Sequence, residues 1–206
     1  GDVHHIDAPP LTDFQNQIII GSLLGDGSIK VGSANDSFSK QQCVKYKEYV
    51  EWHNNMLFPY SSKIIENHSK EKMVCDKNGI ISRKKCRKYL ASYTFYTHQH
   101  PVFTELRNKW YPKGIKIVPD DLKLTSLSIA IWFCDDGSND FNQRCATFCT
   151  QSFTMDEADF LCQLLKEFDI TARVTIKISA KTGKEQPILK VNSTSYDNLI
   201  ELIKPH

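Results

Sequence analysis

Apolar and polar positions along the chain follow two rhythms, one near 3.6 residues and one of two. The first apolar run, Ile18-Ile19-Ile20 with Leu23-Leu24, covers too much of a helix circumference for a one-sided helix. It predicts a helix buried nearly all round. Thr12 at its start, with Gln15 three residues on, has the pattern of a capping box. Gly25-Asp26-Gly27 ends it, and Gly27 is expected to take the left-handed terminating conformation. Alternating or β-branched stretches predict strands over 28–31 and 38–44, followed by a helix carrying Tyr49, Val50, Trp52, His53, Met56 and Leu57. Two more strands are expected over 63–67 and 90–97, separated by a basic segment and an Asn78-Gly79 turn. Pro101 opens a helix that runs to Trp110.

After a connection over 112–125 the same order restarts. A second apolar helix is expected over 128–134, ended by Asp135-Asp136-Gly137, then a strand over 146–152. Thr154 caps an acidic-start helix, and strands over 172–178 and 188–191 lead to a short helix with Leu199, Leu202 and Ile203. The pattern is helix, two strands, helix, two strands, helix, written twice, with Asp26 and Asp136 110 residues apart. This predicts an α+β fold of two pseudo-symmetric αββαββα halves: an N-terminal arm over 1–11, a first repeat over 12–117 and a second over 118–206.

Composition changes this picture little. Of 206 residues, 40% are hydrophobic and 24% charged, and no apolar run approaches a membrane span. No secretory pattern stands at the amino terminus. Seven cysteines, an odd number without a CxxC pair, point to reduced thiols and an intracellular setting rather than a disulfide framework. Which intracellular compartment holds the protein (organelle, nucleus or prokaryotic cytoplasm) is not fixed by these residues. The net charge of +2 does not by itself indicate a nucleic-acid binder. Its distribution is more informative, because Arg83, Lys84, Lys85, Arg87 and Lys88 are almost contiguous.

The duplication carries the candidate chemistry. A twofold protein suits a twofold object such as duplex DNA. In each repeat a carboxylate closes an apolar helix, at the negative end of its dipole, where charge is unfavourable. A bound cation is the simplest compensation, and hard oxygen donors suit Mg²⁺. Two such helices packed side by side would bring Asp26 and Asp136 together between two scissile phosphates.

The residues Ile19-Ile20-Gly21-Ser22-Leu23-Leu24-Gly25-Asp26-Gly27 resemble the LAGLIDADG motif of homing endonucleases at Gly21, Gly25, Asp26 and Gly27. Ile129-Ala130-Ile131-Trp132-Phe133-Cys134-Asp135-Asp136-Gly137 resembles the second, more divergent copy of two-motif members. Lys116-Ile117-Val118-Pro119 resembles the segment before that copy, and Thr150 to Thr154 the one after it, with Gln41-Gln42 in the corresponding place of repeat one. The resemblance spans essentially residues 12–205. It implies motif helices packed at a central interface and antiparallel sheets laid on double-stranded DNA. It implies Asp26 and Asp136 as ligands of Mg²⁺ or Mn²⁺, helped by the carbonyls of Gly25 and Asp135. It implies staggered cuts with 3′ overhangs, Lys116 as a peripheral catalytic lysine, and Gln42 and Gln151 beside the two centres. Alternate strand residues are then the candidate DNA contacts: Lys30, Ser39, Gln41, Lys63, Tyr93, Arg144, Lys177 and Lys190, with Arg83, Lys84 and Lys85 from the basic segment.

Two departures from the family pattern stand out. Gly21 and Gly25 are matched in repeat two by Ile131 and Asp135, so the helix contact is expected to be asymmetric. Members of this kind often carry another Lys beyond the last helix, and none follows Lys204-Pro205-His206. Either the chain is shortened or the second centre manages without it. The expected protein is a monomeric, intron-encoded endonuclease. The alternatives are an intron RNA maturase on the same fold and a non-catalytic DNA-binding regulator, which loss of a motif Asp would favour.

Overall fold

The computed structural model describes residues 8–67, 74–75, 81–82, 92–180 and 182–206. The Asn78-Gly79 turn, most of the expected arm, and Arg83, Lys84 and Lys85 lie outside them.

The chain reads α1 (Asp13–Leu24), β1 (Ser28–Lys30), β2 (Ser37–Cys43), α2 (Lys47–Met56), β3 (Ile65–Asn67), β4 (Val74–Cys75), β5 (Ile81–Ser82), β6 (Ser92–Tyr96) and α3 (Pro101–Trp110). It continues with α4 (Ser126–Asp136), β7 (Gly137–Asp140), β8 (Cys145–Cys149), α5 (Met155–Lys166), β9 (Ala172–Ile178), β10 (Glu185–Val191) and α6 (Tyr196–Ile203). Apart from the β4–β5 ribbon, the two series match element for element.

Sheet topology repeats too. One sheet runs β1-β2-β6-β3 and the other β7-β8-β10-β9, all antiparallel. Register makes the equivalence residue-specific. Ser28 and Ser138 each stand two residues after a motif Asp, and they pair with Ser39 and Thr147. Ser39 therefore corresponds to Thr147, Lys40 to Phe148, Gln42 to Thr150 and Cys43 to Gln151.

Capping fixes the motif helices. Thr12 and Gln15 form the reciprocal box at α1. Thr125 and Ser128 do the same at α4, so this helix begins at Ser126 and keeps Asp135 and Asp136 in its last turn, longer at both ends than the apolar run indicated. Four polar residues after Asp136 carry no alternation, yet they form β7 by pairing with β8, which stops at Cys149, short of the expected Ser152.

α1 packs against α4 through the center of the molecule. One core runs through both halves, from Phe38 and Phe95 through Ile18, Ile19 and Leu23 to Trp132 and Phe148, whose rings lie 4.2 Å apart. A Cβ on Gly21 would fall 2.5 Å from the Ser128 carbonyl oxygen and 2.8 Å from Ile131 Cβ. The asymmetric contact is thus glycine on one helix against isoleucine on the other. Gly27 does not take the left-handed conformation; among the described residues the glycines at positive φ are Gly114 and Gly183. Gly27 is needed for close approach instead, since a Cβ there would meet Ser22 and the Phe38 ring within 2.9 Å.

Gly21→Ala should accordingly destabilise the protein by about 1–3 kcal/mol, because the clash is with backbone and cannot be rotated away. That corresponds to a Tm lower by about 3–10 °C at this chain length. Thermal unfolding followed by circular dichroism checks it; an unchanged Tm would contradict this packing.

Candidate active site

Helix ends α1 and α4 emerge side by side, and four side chains meet them from the surrounding elements. The Asp26 carboxylate is exposed and accepts a hydrogen bond from Gln42 Nε2 at 2.6 Å. Its backbone N–H donates to Asp135 Oδ2 at 3.2 Å. Lys116, from the segment before α4, donates from Nζ to the carbonyls of Gly27 at 3.0 Å and Gly25 at 3.4 Å. The structure therefore gathers Asp26, Gln42, Lys116, Gly25, Asp135 and Asp136 of the residues the sequence indicated.

Electrostatics at this place are strained. Burial, then the Asp26 and Asp135 carboxylates, push the half-buried Asp136 up to about 6. Burial brings the Lys116 ammonium down to about 8, against the pull of Asp136 and the other two acids. Among the described residues no group of three or more His, Cys, Asp or Glu side chains closes a metal cage. What the helix ends do offer is two mutually repelling carboxylates and helix-end carbonyls, of which that of Gly25 is touched by Lys116 Nζ at 3.4 Å, a hard, open donor set. That chemistry fits Mg²⁺ or Mn²⁺ completing its shell with water and substrate phosphate.

Gln151 is not the counterpart of Gln42. Register puts Thr150 there, with its hydroxyl donating to the Pro187 carbonyl at 2.9 Å. Gln151 falls one residue later, in the turn after β8, and among the described residues it makes no hydrogen bond to Asp136. The two centres are unequal in this respect.

A buried cluster was not foreseen. Lys40 lies on the inner face of β2, its side chain fully covered. Its Nζ donates to Asp135 Oδ2 at 2.6 Å, Asp135 Oδ1 at 2.7 Å and Ser22 Oγ at 3.1 Å. Tyr49 OH from α2 donates to Asp135 Oδ1 at 2.9 Å. Burial pushes the Asp135 carboxyl up and the Lys40 ammonium down, and their contact opposes both. One signal was available: Lys40 shares strand parity with Phe38, so it points inward, and a lysine there needs a counter-ion.

The faces of the sheets away from the helices carry the remaining candidates. Pairing places Lys30, Ser39 and Gln41 on the outer face of the first sheet, with Lys177 and Lys190 on that of the second. Gln41 is exposed and donates to Ser92 Oγ; Ser39 is covered, its hydroxyl paired with that of Ser28. Lys63 is exposed but precedes β3 rather than lying on it. Tyr93 is a correction: paired with Gln42, it faces inward, packs on the core and lies under Lys47 Nζ. Arg144 sits before β8 at φ 48°, its guanidinium 2.6 Å from Asp197, so it is not an alternating strand residue. It rims a pocket of about 470 Å³ with Arg173 and Lys190.

Two α+β halves joined by packed, Asp-ended helices define the class of fold to which this chain belongs. The model of the LAGLIDADG DNA endonuclease family matches residues 16–199, and the chain belongs to that family. It is similar to a probable intron-encoded endonuclease of Wickerhamomyces canadensis, 25% identical over 209 residues that cover 95% of this chain and 81% of that protein. It is also similar to a cytochrome b mRNA maturase of Debaryomyces hansenii, 25% identical over 205 residues, 96% of this chain and 71% of that one. Among solved structures, the homing endonuclease I-WcaI bound to its DNA recognition sequence superposes with a TM-score of 0.74 at 23% identity, covering 96% of this chain and 84% of that chain. Among the described residues no helix is long and apolar enough to cross a membrane.

Proposed function

We propose that this chain is a divalent-metal-dependent, site-specific endonuclease that acts as a monomer on one long double-stranded DNA site and cuts both strands to leave 3′ overhangs. The observation that carries the reading is the pair of acids, Asp26 and Asp136, at adjoining helix ends, where burial and then the neighbouring acids make Asp136 a poor carboxylate without a cation. Asp26 and Asp136, with the carbonyls of Gly25 and Asp135, would hold Mg²⁺ or Mn²⁺. When bound, the metal supplies Lewis acidity and water ionised near neutral pH.

The protein's own groups do the rest. Gln42 holds one oxygen of Asp26, leaving the other free to turn toward a ligand. Lys116, anchored on the Gly25 and Gly27 carbonyls, places a positive charge where a phosphate gains negative charge during cleavage. The outer-face residues Lys30, Gln41, Lys177 and Lys190 approach the groove and phosphates, which orients the scissile bonds over the carboxylates. Both halves belong to one chain, so one molecule suffices for both strands.

A second reading, assistance to splicing of an intron RNA, is favoured by the similarity to the D. hansenii maturase. Incubation with a DNA library in Mg²⁺, with and without chelator, tests the first reading; a splicing assay on an intron transcript tests the second. Chelator-sensitive double-strand breaks are expected. Splicing activity without any break would favour the second reading over the first.

The pH dependence follows from the same charges. Asp136 must be ionised to bind metal, so the activity should fall as pH drops through about 6 at low Mg²⁺. Metal and proton compete for it, so raising Mg²⁺ should move this limb to lower pH. A second limb is expected near pH 8 as Lys116 loses its proton. In the metal-free protein the Asp136 carboxyl binds its proton more tightly than in the unfolded chain. Its stability contribution is therefore full below the unfolded carboxylate pKa and is lost as pH rises through about 6. Mg²⁺ should thus raise Tm more at pH 8 than at pH 5. Cleavage rates and Tm across pH at two Mg²⁺ concentrations check both signs.

A further inference from the structure

The Asp135 carboxylate belongs to the second motif, yet every group that binds it comes from the first half. Lys40 reaches it from β2, Tyr49 from α2, and the Asp26 N–H from the end of α1. Gly25 admits it: a Cβ there would stand 2.4 Å from Asp135 Cβ. The reciprocal arrangement does not exist. The position matching Asp135 in the first motif is Gly25, which has no side chain, and the position matching Lys40 is Phe148. Asp26 is thus held from two sides, by Gln42 at its carboxylate and Asp135 at its backbone. The sequence offers Asp136 no such pair.

An ion pair this deeply buried is an expensive way to gain stability, since well-packed apolar residues of similar volume often serve as well or better. Its geometry suits another purpose. We propose that the Lys40–Asp135 pair is a positioning device: Lys40 and Tyr49 fix the Asp135 carboxylate so that it accepts the Asp26 N–H and sets the direction of the Asp26 carboxylate toward its cation. This rests on the metal reading of Asp26 given above. Asp135 then contributes its side chain to the orientation of the first-motif acid, and not as a ligand. The first centre depends on a residue of the second motif helix, so separating the helices would disable it.

Two double variants separate positioning from stability. K40M/D135L removes both charges and the acceptor for the Asp26 N–H. K40M/D135N removes both charges but keeps an amide oxygen in the acceptor's place. Both should fold, because neither leaves an unpaired buried charge, and Tm without metal reports this. Mn²⁺ binding is measured by water-proton relaxation in the Asp136→Asn background, where Asp26 is the remaining carboxylate proposed to hold the metal. Hydrogen exchange of the Asp26 amide is measured on the same proteins.

K40M/D135L should bind Mn²⁺ at least tenfold more weakly and exchange the Asp26 amide at least tenfold faster than the Asp136→Asn reference. K40M/D135N should lie within about threefold of that reference in both, the differences being read as ordinary equilibrium ratios. Wild-type-like binding and exchange in K40M/D135L would overturn the proposal. So would equal losses in the two doubles, which would make the charge, not the acceptor, responsible. Should either double fail to fold, Tyr49→Phe, which removes one hydrogen bond to Asp135, replaces it, with a smaller loss expected and no change overturning the idea. A reference protein that binds no Mn²⁺ would count against the metal reading instead, and the amide exchange then decides the positioning by itself.

Discussion

Asp26→Asn and Asp136→Asn are each expected to abolish double-strand cleavage while DNA affinity stays within a few-fold of wild type. Asparagine keeps the shape of the side chain but not the charge that a hard cation needs. At position 26 the amide can still meet Gln42, so the fold around α1 should be preserved. At position 136 neutralisation removes a group that the folded protein holds in its charged form only at a cost, and that cost is why its pKa rises to about 6. Asp136→Asn should therefore be at least as stable as wild type without metal and should show a smaller Tm increase with Mg²⁺ than wild type, the part that remains coming from Asp26. Gel-shift affinity, cleavage of linear DNA and Tm with and without Mg²⁺ make the set. Wild-type cleavage in either variant would remove that acid from the proposed site.

Lys116→Ala should slow cleavage by about 10²-fold or more, as expected when a charge aimed at the transition state is removed. The effect should be unequal between strands. Lys116 rests on the first-motif carbonyls of Gly25 and Gly27, and its strongest attraction is to Asp136 of the second motif. A single-strand nick in supercoiled plasmid should therefore accumulate in the variant before linear product forms. Equal slowing of both strands, or none, would count against this role. Lys116 also caps carbonyls at the end of α1, so its loss should lower Tm slightly, which separates the structural part from the chemical one.

Much of this architecture was legible because local signals and packing agreed. Thr12 with Gln15 forms the reciprocal cap its spacing suggested, and Thr154 caps α5 as expected, with Glu157 completing the pair in return. The alternation at Ala172–Ile178 matches β9 at both ends. The motif acids were legible because a carboxylate ending an apolar helix twice is a pattern that simple turns do not require.

What escaped depended on partners far along the chain. β7 has no alternation of its own and exists through β8. Tyr93 faces inward because of its pairing with Gln42, which local alternation could not reveal. The offset between Gln42 and Gln151 is a one-residue register difference, and such a step moves a side chain to the opposite face. The left-handed Gly27 failed for a related reason. The constraint there is the approach of Ser22 and Phe38, and a tight contact and a positive φ both select glycine. Lys40 and Asp135, 95 residues apart, are each anomalous in sequence, and the packing of α1 against α4 is what joins them.

The most direct measurement is selection of cleaved molecules from a randomised or genomic DNA library in Mg²⁺, with the ends of every product sequenced. One long recognition site should emerge, cut on both strands at staggered positions that leave 3′ overhangs, and it should vanish with chelator or with Asp26→Asn. Recovery of no cleaved site, or of ends that persist with chelator and in the Asn variant, would contradict the assignment of Asp26 and Asp136 as the metal-holding acids of a site-specific endonuclease.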